Sequence, residues 1–258
     1  MFPTTLQKDL KKNRKYGRIQ ESDRREKKVS LLETRYRHEW KHAINYTDLL
    51  VIRQRLRAVA QPDEHARDGQ YLIRSLYFDN AHDKALREKI DGVNMREKFR
   101  IRYYNGDTTL IHLEKKSRRN GLGTKYSAVL SAEEVRKILD GEIDWMRGCD
   151  RPLVQELYCK MRSQGLRPKT IVDYTREPYV FRPGNVRVTF DSCVSSSRDT
   201  SSFFADDILK RPVLPAGMQL LEVKFDEFLP DEIYRALQLD NLQQTAFSKY
   251  YLSRKYTV

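Results

Sequence analysis

Basic residues recur at every second position in several short stretches of this 258-residue chain. Lys98, Arg100 and Arg102 alternate with Phe99, Ile101 and Tyr103. His112, Glu114 and Lys116 alternate with Ile111 and Leu113. Arg187, Thr189 and Asp191 oppose Val186, Val188 and Phe190, and Glu222 and Lys224 oppose Leu221, Val223 and Phe225. Nearer the start, Arg35, Arg37, Glu39 and Lys41 share one parity, with Tyr36, His38, Trp40 and His42 on the other. Side chains two apart on a strand share a face. Five segments therefore each present one charged and one apolar face. Arginine supplies planar, bidentate contacts and lysine a mobile point charge, so such faces suit the binding of phosphate-like oxygens.

The elements that must carry these faces follow from the intervening sequence. Strands are predicted over 35–42, 70–78, 94–104, 108–118, 124–130, 170–176, 179–182, 185–190 and 219–225. The Asn105-Gly106-Asp107 turn makes a hairpin of the third and fourth, and a glycine loop around Gly121 and Gly123 joins the next pair. Leu49, Leu50, Ile52, Leu56 and Val59 recur at helical spacing within 46–60. A short helix is expected over 81–90. Ser131 with Glu134 is a capping box for a helix through Leu139. Another helix is predicted over 153–162, with Gly165 as its C-cap. The stretch 192–207 reads as a loop and the tail 231–256 as helical.

One charged face per strand is compatible with a half-solvated sheet. Five in agreement, with several helices available for the apolar faces, imply that the charged faces look into one shared space enclosed by a sheet that curls shut. A dry interior cannot hold so many cations, so a polyanion, acidic partners and water must meet them. The expected fold is thus α+β: a closed antiparallel β-barrel with helices packed outside.

Composition agrees. Lys plus Arg number 49 against 36 Asp plus Glu, a formal net charge of +13, in a chain that is 33% charged and 39% hydrophobic. That balance points to an anionic partner. Cys149, Cys159 and Cys193 have neither metal spacing nor an even count, which argues against a disulfide framework and suits a reducing, cytoplasmic setting. No apolar run approaches a membrane helix, and the polar first stretch lacks a signal sequence's apolar region. Residues 1–33 are expected to form a mobile basic arm ahead of a domain spanning 34–258.

Fragments spread from Arg35 to Tyr256 resemble a known family: RHEWKH at 37–42, SLYFDN at 75–80, KFRIRYY at 98–104, LEKKS at 113–117, TKYSAVL at 124–130, DYTR at 173–176, VRVTFD at 186–191, LEVKF at 221–225 and FSKYYL at 247–252. Together they resemble the catalytic domain of the vacuolar transporter chaperone (VTC) complex. That domain is a polyphosphate polymerase of the triphosphate tunnel metalloenzyme, CYTH-like superfamily. The resemblance implies that Lys41, Arg100, Arg102, Lys116, Lys125, Arg176, Arg187 and Lys249 hold phosphates. It also implies contacts from Ser248, with Arg37, Lys98 and Lys224 as further substrate-binding residues. Glu222 corresponds to a metal-binding glutamate for Mn²⁺ or Mg²⁺. Glu114 and Glu39 are further metal candidates, each with a rival role as an ion-pair partner. Ala246 stands where the family carries a lysine, a loss for which Arg254 or Lys255 is a substitute.

The partners so implied are ATP or another nucleoside triphosphate, and inorganic polyphosphate, triphosphate or pyrophosphate. The reaction is transfer of the terminal phosphoryl group of ATP onto a growing polyphosphate chain. Hydrolytic relatives place Glu-x-Glu-x-Lys on the first strand. This chain has Arg37 at the first of those glutamates, which weakens the hydrolase alternative. A non-catalytic binder is the third reading. Specific nucleic-acid binding is not expected, because the basic rows lie opposite apolar rows and not among exposed aromatics.

Overall fold

The computed structural model describes residues 37–66, 68–119, 122–238 and 247–255. The arm expected over 1–33 lies outside them, as does Ala246.

The strands are β1 (His38–Ile44), β2 (Gln61–Pro62), β3 (Tyr71–Asp79), β4 (Arg96–Tyr104), β5 (Asp107–Arg119), β6 (Leu122–Leu130), β7 (Arg167–Phe181), β8 (Val186–Ser197), β9 (Arg211–Pro212) and β10 (Gln219–Phe225). Six α-helices accompany them among the described residues: α1 (Tyr46–Val59), α2 (Lys84–Ile90), α3 (Ala132–Asp140), α4 (Pro152–Gln164), α5 (Asp231–Leu237) and α6 (Lys249–Lys255). Local sequence explains most boundaries. Asn45 and Asp48 form a capping box on α1, and Ser131 and Glu134 one on α3. Gly165 ends α4 in the left-handed region, at φ 66°. Asn105 and Gly106 both have positive φ, which is what the tight turn from β4 to β5 requires.

One antiparallel sheet runs β1-β10-β8-β7-β3-β4-β5-β6, with β2 added to β7 and β9 to β8. The closed barrel expected from sequence is met only in part: β1 and β6 stand at the two ends of this order, and among the described residues no hydrogen-bonded ladder joins them. The sheet nevertheless curls. Lys116 of β5 feels the charges of Lys224 and Glu222 on β10 and Glu39 on β1. Lys98 of β4 feels Lys41 of β1. These strands are five or six places apart in the sheet order, so such groups face one another only across a concave interior.

Helices cover the convex face with two cores. α3 and α4 bring Val135, Ile138, Leu153, Val154, Leu157 and Met161 onto Phe99, Ile101, Ile111 and Leu113. α1 and α5 bring Leu49, Ile52, Leu56 and Ile233 onto Val188, Phe190, Leu221 and Val223. The apolar parity predicted for β4, β5, β8 and β10 is the parity found in these cores.

The expectation that the helices lie outside fails for α6. Tyr250 and Leu252 pack on Tyr71, Ile73, Tyr77, Val172 and Tyr174. Ser75 and Tyr77 of that β3 parity bond the interior arginines Arg102 and Arg100, so α6 lies on the concave side. Two boundaries also differ. The strands expected over 170–176 and 179–182 are one, β7, which continues through Pro178. β8 runs on to Ser197, so the loop begins later. In both cases ladder partners on neighbouring strands outweigh the local preference for a break.

Candidate functional site

The interior face of β4 carries the three basic residues singled out by their alternation, each in a different electrostatic setting. Arg100 is opposite Glu114 in the β4–β5 register. Its Nε donates to Glu114 Oε2 at 2.6 Å and its Nη1 to the Tyr77 hydroxyl at 3.2 Å. Glu114 also meets Lys125 of β6 at 2.5 Å through its other oxygen. It is only 2% exposed. Burial would raise its pKa, but Arg100, Arg102 and Lys125 outweigh that and hold it well below the carboxylate range. Both oxygens are thus paired with interior cations, as are those of Glu39 and Glu222.

Arg102 is different. It is 5% exposed, and its guanidinium donates to Ser75 Oγ at 3.0 Å and to the Tyr174 hydroxyl at 2.8 Å. Its direct partners here are neutral, with the rings of Tyr104 and Tyr174 alongside. Lys98 donates to Ser248 Oγ at 3.0 Å. Burial, together with Lys41, Lys89 and Arg96, pushes the Lys98 amine down to about 8, against an opposing pull from Tyr77.

Lys116 sits opposite both Lys98 and Lys125 in the ladders on either side. Water reaches its side chain, yet Lys224, burial and Arg100 drive its pKa well below the usual lysine value, with Glu39 and Glu222 pulling the other way. Lys116 is thus an exposed lysine on the concave face, with cations from several strands around it.

The second half of the interior is built from β1, β7, β8 and β10. Arg176 of β7 forks onto Asp191 of β8 at 2.6 and 2.7 Å and reaches Glu222 at 3.5 Å. Lys249, the first residue of α6, pairs with the same Asp191 and lies 4.6 Å from the centre of the Tyr174 ring. Asp191 is fully buried. Arg187 donates to Asp63 at 2.7 Å and to the Tyr71 hydroxyl at 2.7 Å. Lys224 meets Glu222 at 2.9 Å and Glu39 at 3.5 Å, and Lys41 meets Glu39 at 2.8 Å.

Burial alone would raise the Glu222 carboxyl. Lys224, hydrogen-bonding contact with Glu39, Lys41 and Arg176 hold it well below its ordinary range. Glu39 and Glu222 therefore form an adjacent carboxylate pair. Among the described residues no group of three or more His, Cys, Asp or Glu could hold a metal. Two carboxylates do fit a hard divalent cation that takes its remaining oxygens from phosphates and water.

The structure brings together Lys41, Lys98, Arg100, Arg102, Lys116, Lys125, Arg176, Arg187, Lys224, Ser248 and Lys249, with Glu39, Glu114 and Glu222. Arg37 stands apart. It pairs with Asp226 at 3.0 Å and donates to the Asn185 carbonyl, at the end of the sheet, so its charge is compensated where it lies. Arg254 is bound to Asp83, away from a phosphate-binding role. Sequence reasoning passed over Asp191 as a site residue, although its parity with Arg187 was the available signal. It also missed Asp63 and the hydroxyls of Ser75, Tyr71, Tyr77 and Tyr174. The signal for the β3 group was the alternation Tyr71, Ile73, Ser75, Tyr77, which puts three hydroxyls on one face.

The profile of the VTC domain family matches residues 36–258, and the chain belongs to that family. No curated protein matches. Among solved structures, similarity extends to a candidate adenylate cyclase from Bacillus halodurans, at 15% identity and a TM-score of 0.42, over 79% of this chain and 87% of that one. A candidate adenylate cyclase from Vibrio parahaemolyticus matches at 7% identity and a TM-score of 0.45, over 85% and 98%. A protein from Pyrococcus horikoshii matches at 13% identity and 0.38, over 80% and 94%.

Proposed function

We propose that this chain is a polyphosphate polymerase, which transfers the terminal phosphoryl group of ATP onto the end of a polyphosphate chain held in the concave interior. The observation that carries the reading is the surplus of interior cations. Arg102 is buried on neutral partners, and Lys116 stands opposite Lys98 in one ladder and opposite Lys125, itself paired with Glu114, in the other. Like charges opposed across a ladder are destabilising, and a polyanion running between them removes the cost. Membership of the VTC domain family supports the same substrate class.

The residues divide by what they can do. Arg100 and Arg102 are fixed by Glu114, Tyr77, Ser75 and Tyr174, so they present oriented N–H groups to phosphate oxygens. Lys98, Lys116 and Lys125 are point charges along the path. Arg176 and Lys249 are held through Asp191. Phosphoryl transfer needs positioning and charge neutralisation more than covalent help from the protein, and this lining supplies both. Glu39 and Glu222 would hold Mn²⁺ or Mg²⁺, which supplies Lewis-acid neutralisation of the phosphates when bound.

The test is direct. Purified protein is incubated with ATP and Mn²⁺ or Mg²⁺ while ADP, free phosphate and acid-labile polymer are all measured. The polymerase reading expects ADP and polymer to appear together with little free phosphate. The adjacent carboxylates of Glu39 and Glu222 favour a second reading, a metal-dependent tri- or polyphosphatase. One free phosphate per ADP with no polymer would establish that reading instead. Nucleotide and polyphosphate binding without turnover would leave a binder.

A further inference from the structure

The charge ladder does not stop at the centre of the interior. Moving along β4 from Arg100 toward its start, and along β5 toward its finish, the cross-strand rungs change character. Arg100–Glu114 is a neutral rung. Lys98–Lys116 is the next on that face and Arg96–Arg118 the last. The outer two bring cation against cation. The helix α2 adds Lys89, whose neighbours are Arg96, Arg118 and Lys41. Cations from α2, β1, β4 and β5 therefore ring one end of the channel.

Acids do not balance this rim. Among the described residues no carboxylate forms an ion pair with Lys89, Arg96 or Arg118. Within the same residues the hydrogen-bond partner of Arg96 is the Val93 carbonyl, at 3.0 Å. The acid that acts on Arg96 is Glu88, which is engaged at 3.7 Å with Lys84. Burial and mutual repulsion depress both Lys89 and Arg96. Away from the channel the basic residues of the same strands and their neighbours are well matched: Lys115 has Glu97 and Glu156, Lys160 has Glu97, and Arg74 has Asp173. The unmatched set continues the phosphate-binding face.

Each pair of strand residues advances about 6.6 Å, so the outermost rung lies roughly 13 Å beyond Arg100. A triphosphate held at Arg100 and Arg102 is too short to span that distance. An anion that also reaches the Arg96–Arg118 rung must be extended and carry charge along its whole length. We propose that Lys89, Arg96 and Arg118 form a subsite for the distal phosphates of a long polyphosphate chain, and that this rim makes the protein prefer long chains to triphosphate. The inference rests on the polyphosphate reading of the interior and deepens it.

The experiment compares tripolyphosphate with a polyphosphate many times longer, by calorimetry at fixed ionic strength. The proteins are the wild type and a triple variant, Lys89→Gln, Arg96→Gln and Arg118→Gln. The variant should lose about tenfold or more in affinity for the long chain, at roughly tenfold per 1.4 kcal/mol of lost contact, and keep its affinity for tripolyphosphate. Its salt dependence for the long chain should become shallower, since fewer cations are neutralised. Its ligand-free melting temperature should equal or exceed that of the wild type, because repulsion has been removed. Equal losses for both ligands, or no loss for the long chain, would overturn the subsite, as would a fall in the ligand-free melting temperature. If the wild type binds neither ligand, the reading of the interior fails first and the subsite with it.

Discussion

Arg102 and Arg176 are both buried interior arginines, but removing them should have unequal consequences. Arg102 touches only neutral groups directly, so Arg102→Met leaves no carboxylate orphaned. It leaves the buried Ser75 and Tyr174 hydroxyls without their donor, so stability should fall by only about 1–2 kcal/mol, while triphosphate binding weakens by about 1.5–3 kcal/mol, the usual worth of a charge-assisted contact. Arg176 forks onto Asp191, which is fully buried. Arg176→Met strands that charge on Lys249 alone and should cost about 3–5 kcal/mol of stability. Chemical denaturation with calorimetric binding on both variants checks the contrast; equal destabilisation would refute it.

Lys98 gives the pH dependence. Its amine is pushed down to about 8 by burial and by Lys41, Lys89 and Arg96. A bound polyanion favours the charged form and raises that value. Below pH 8 Lys98 is charged both free and bound and contributes no pH dependence. Above pH 8 the free protein has lost a proton that binding must restore, and affinity should fall by up to about tenfold per pH unit. Phosphate's second ionisation, at about 6, is complete there. Titrations from about pH 7 to about pH 9.5 should show this decline in the wild type and a smaller one in Lys98→Met.

At the level of elements, the position of α6 is held by a clasp. The Tyr250 hydroxyl donates to Asp79 at 2.5 Å, and Arg254 Nη2 donates to both Asp83 oxygens at 2.9 and 3.0 Å. Asp79 also accepts from the amides of Ala85 and Leu86 at the start of α2. The clasp fixes the far end of a helix that begins with Lys249, the partner of Asp191 in the channel. Asp83 has φ of 53°, a conformation asparagine tolerates. Asp83→Asn should therefore keep the backbone, lose the ion pairs to Arg254 and Lys169, each worth about 1 kcal/mol or less, and speed amide exchange in 249–255. Phosphate affinity should drop more than global stability. Unchanged exchange in α6 would show that the clasp does not hold it.

Much of this architecture was legible in the sequence, for a physical reason. A strand with one apolar and one charged face declares both in its parity, so the order of residues alone reveals the lining of β4, β5, β8 and β10. Capping boxes and Gly165 were equally local. What could not be read is set by neighbours. Which acid serves which base depends on strand order, so the pairing of Asp191 with Arg176 and the commitment of Glu114 were hidden. Arg37 shared the parity of Lys41 yet turned to Asp226, which approaches it only in the fold. The tail's helical pattern shows an apolar side but not whether that side meets the convex or concave face of the sheet.

At the scale of the molecule, the lack of a ladder between β1 and β6 among the described residues changes how cargo can be loaded. A fully closed ring admits a polymer only by threading, one end first, and releases it only by running off an end. A wall without a hydrogen-bonded ladder along one seam can part there without breaking backbone bonds, so that a strand of cargo can be laid in along its length. The expected outcome is topological: polyphosphate carrying a bulky protein at both ends, too large to thread, should still bind, with an association rate close to that of the unblocked chain. Blocked chains that bind only after one end is freed would show that the seam stays shut.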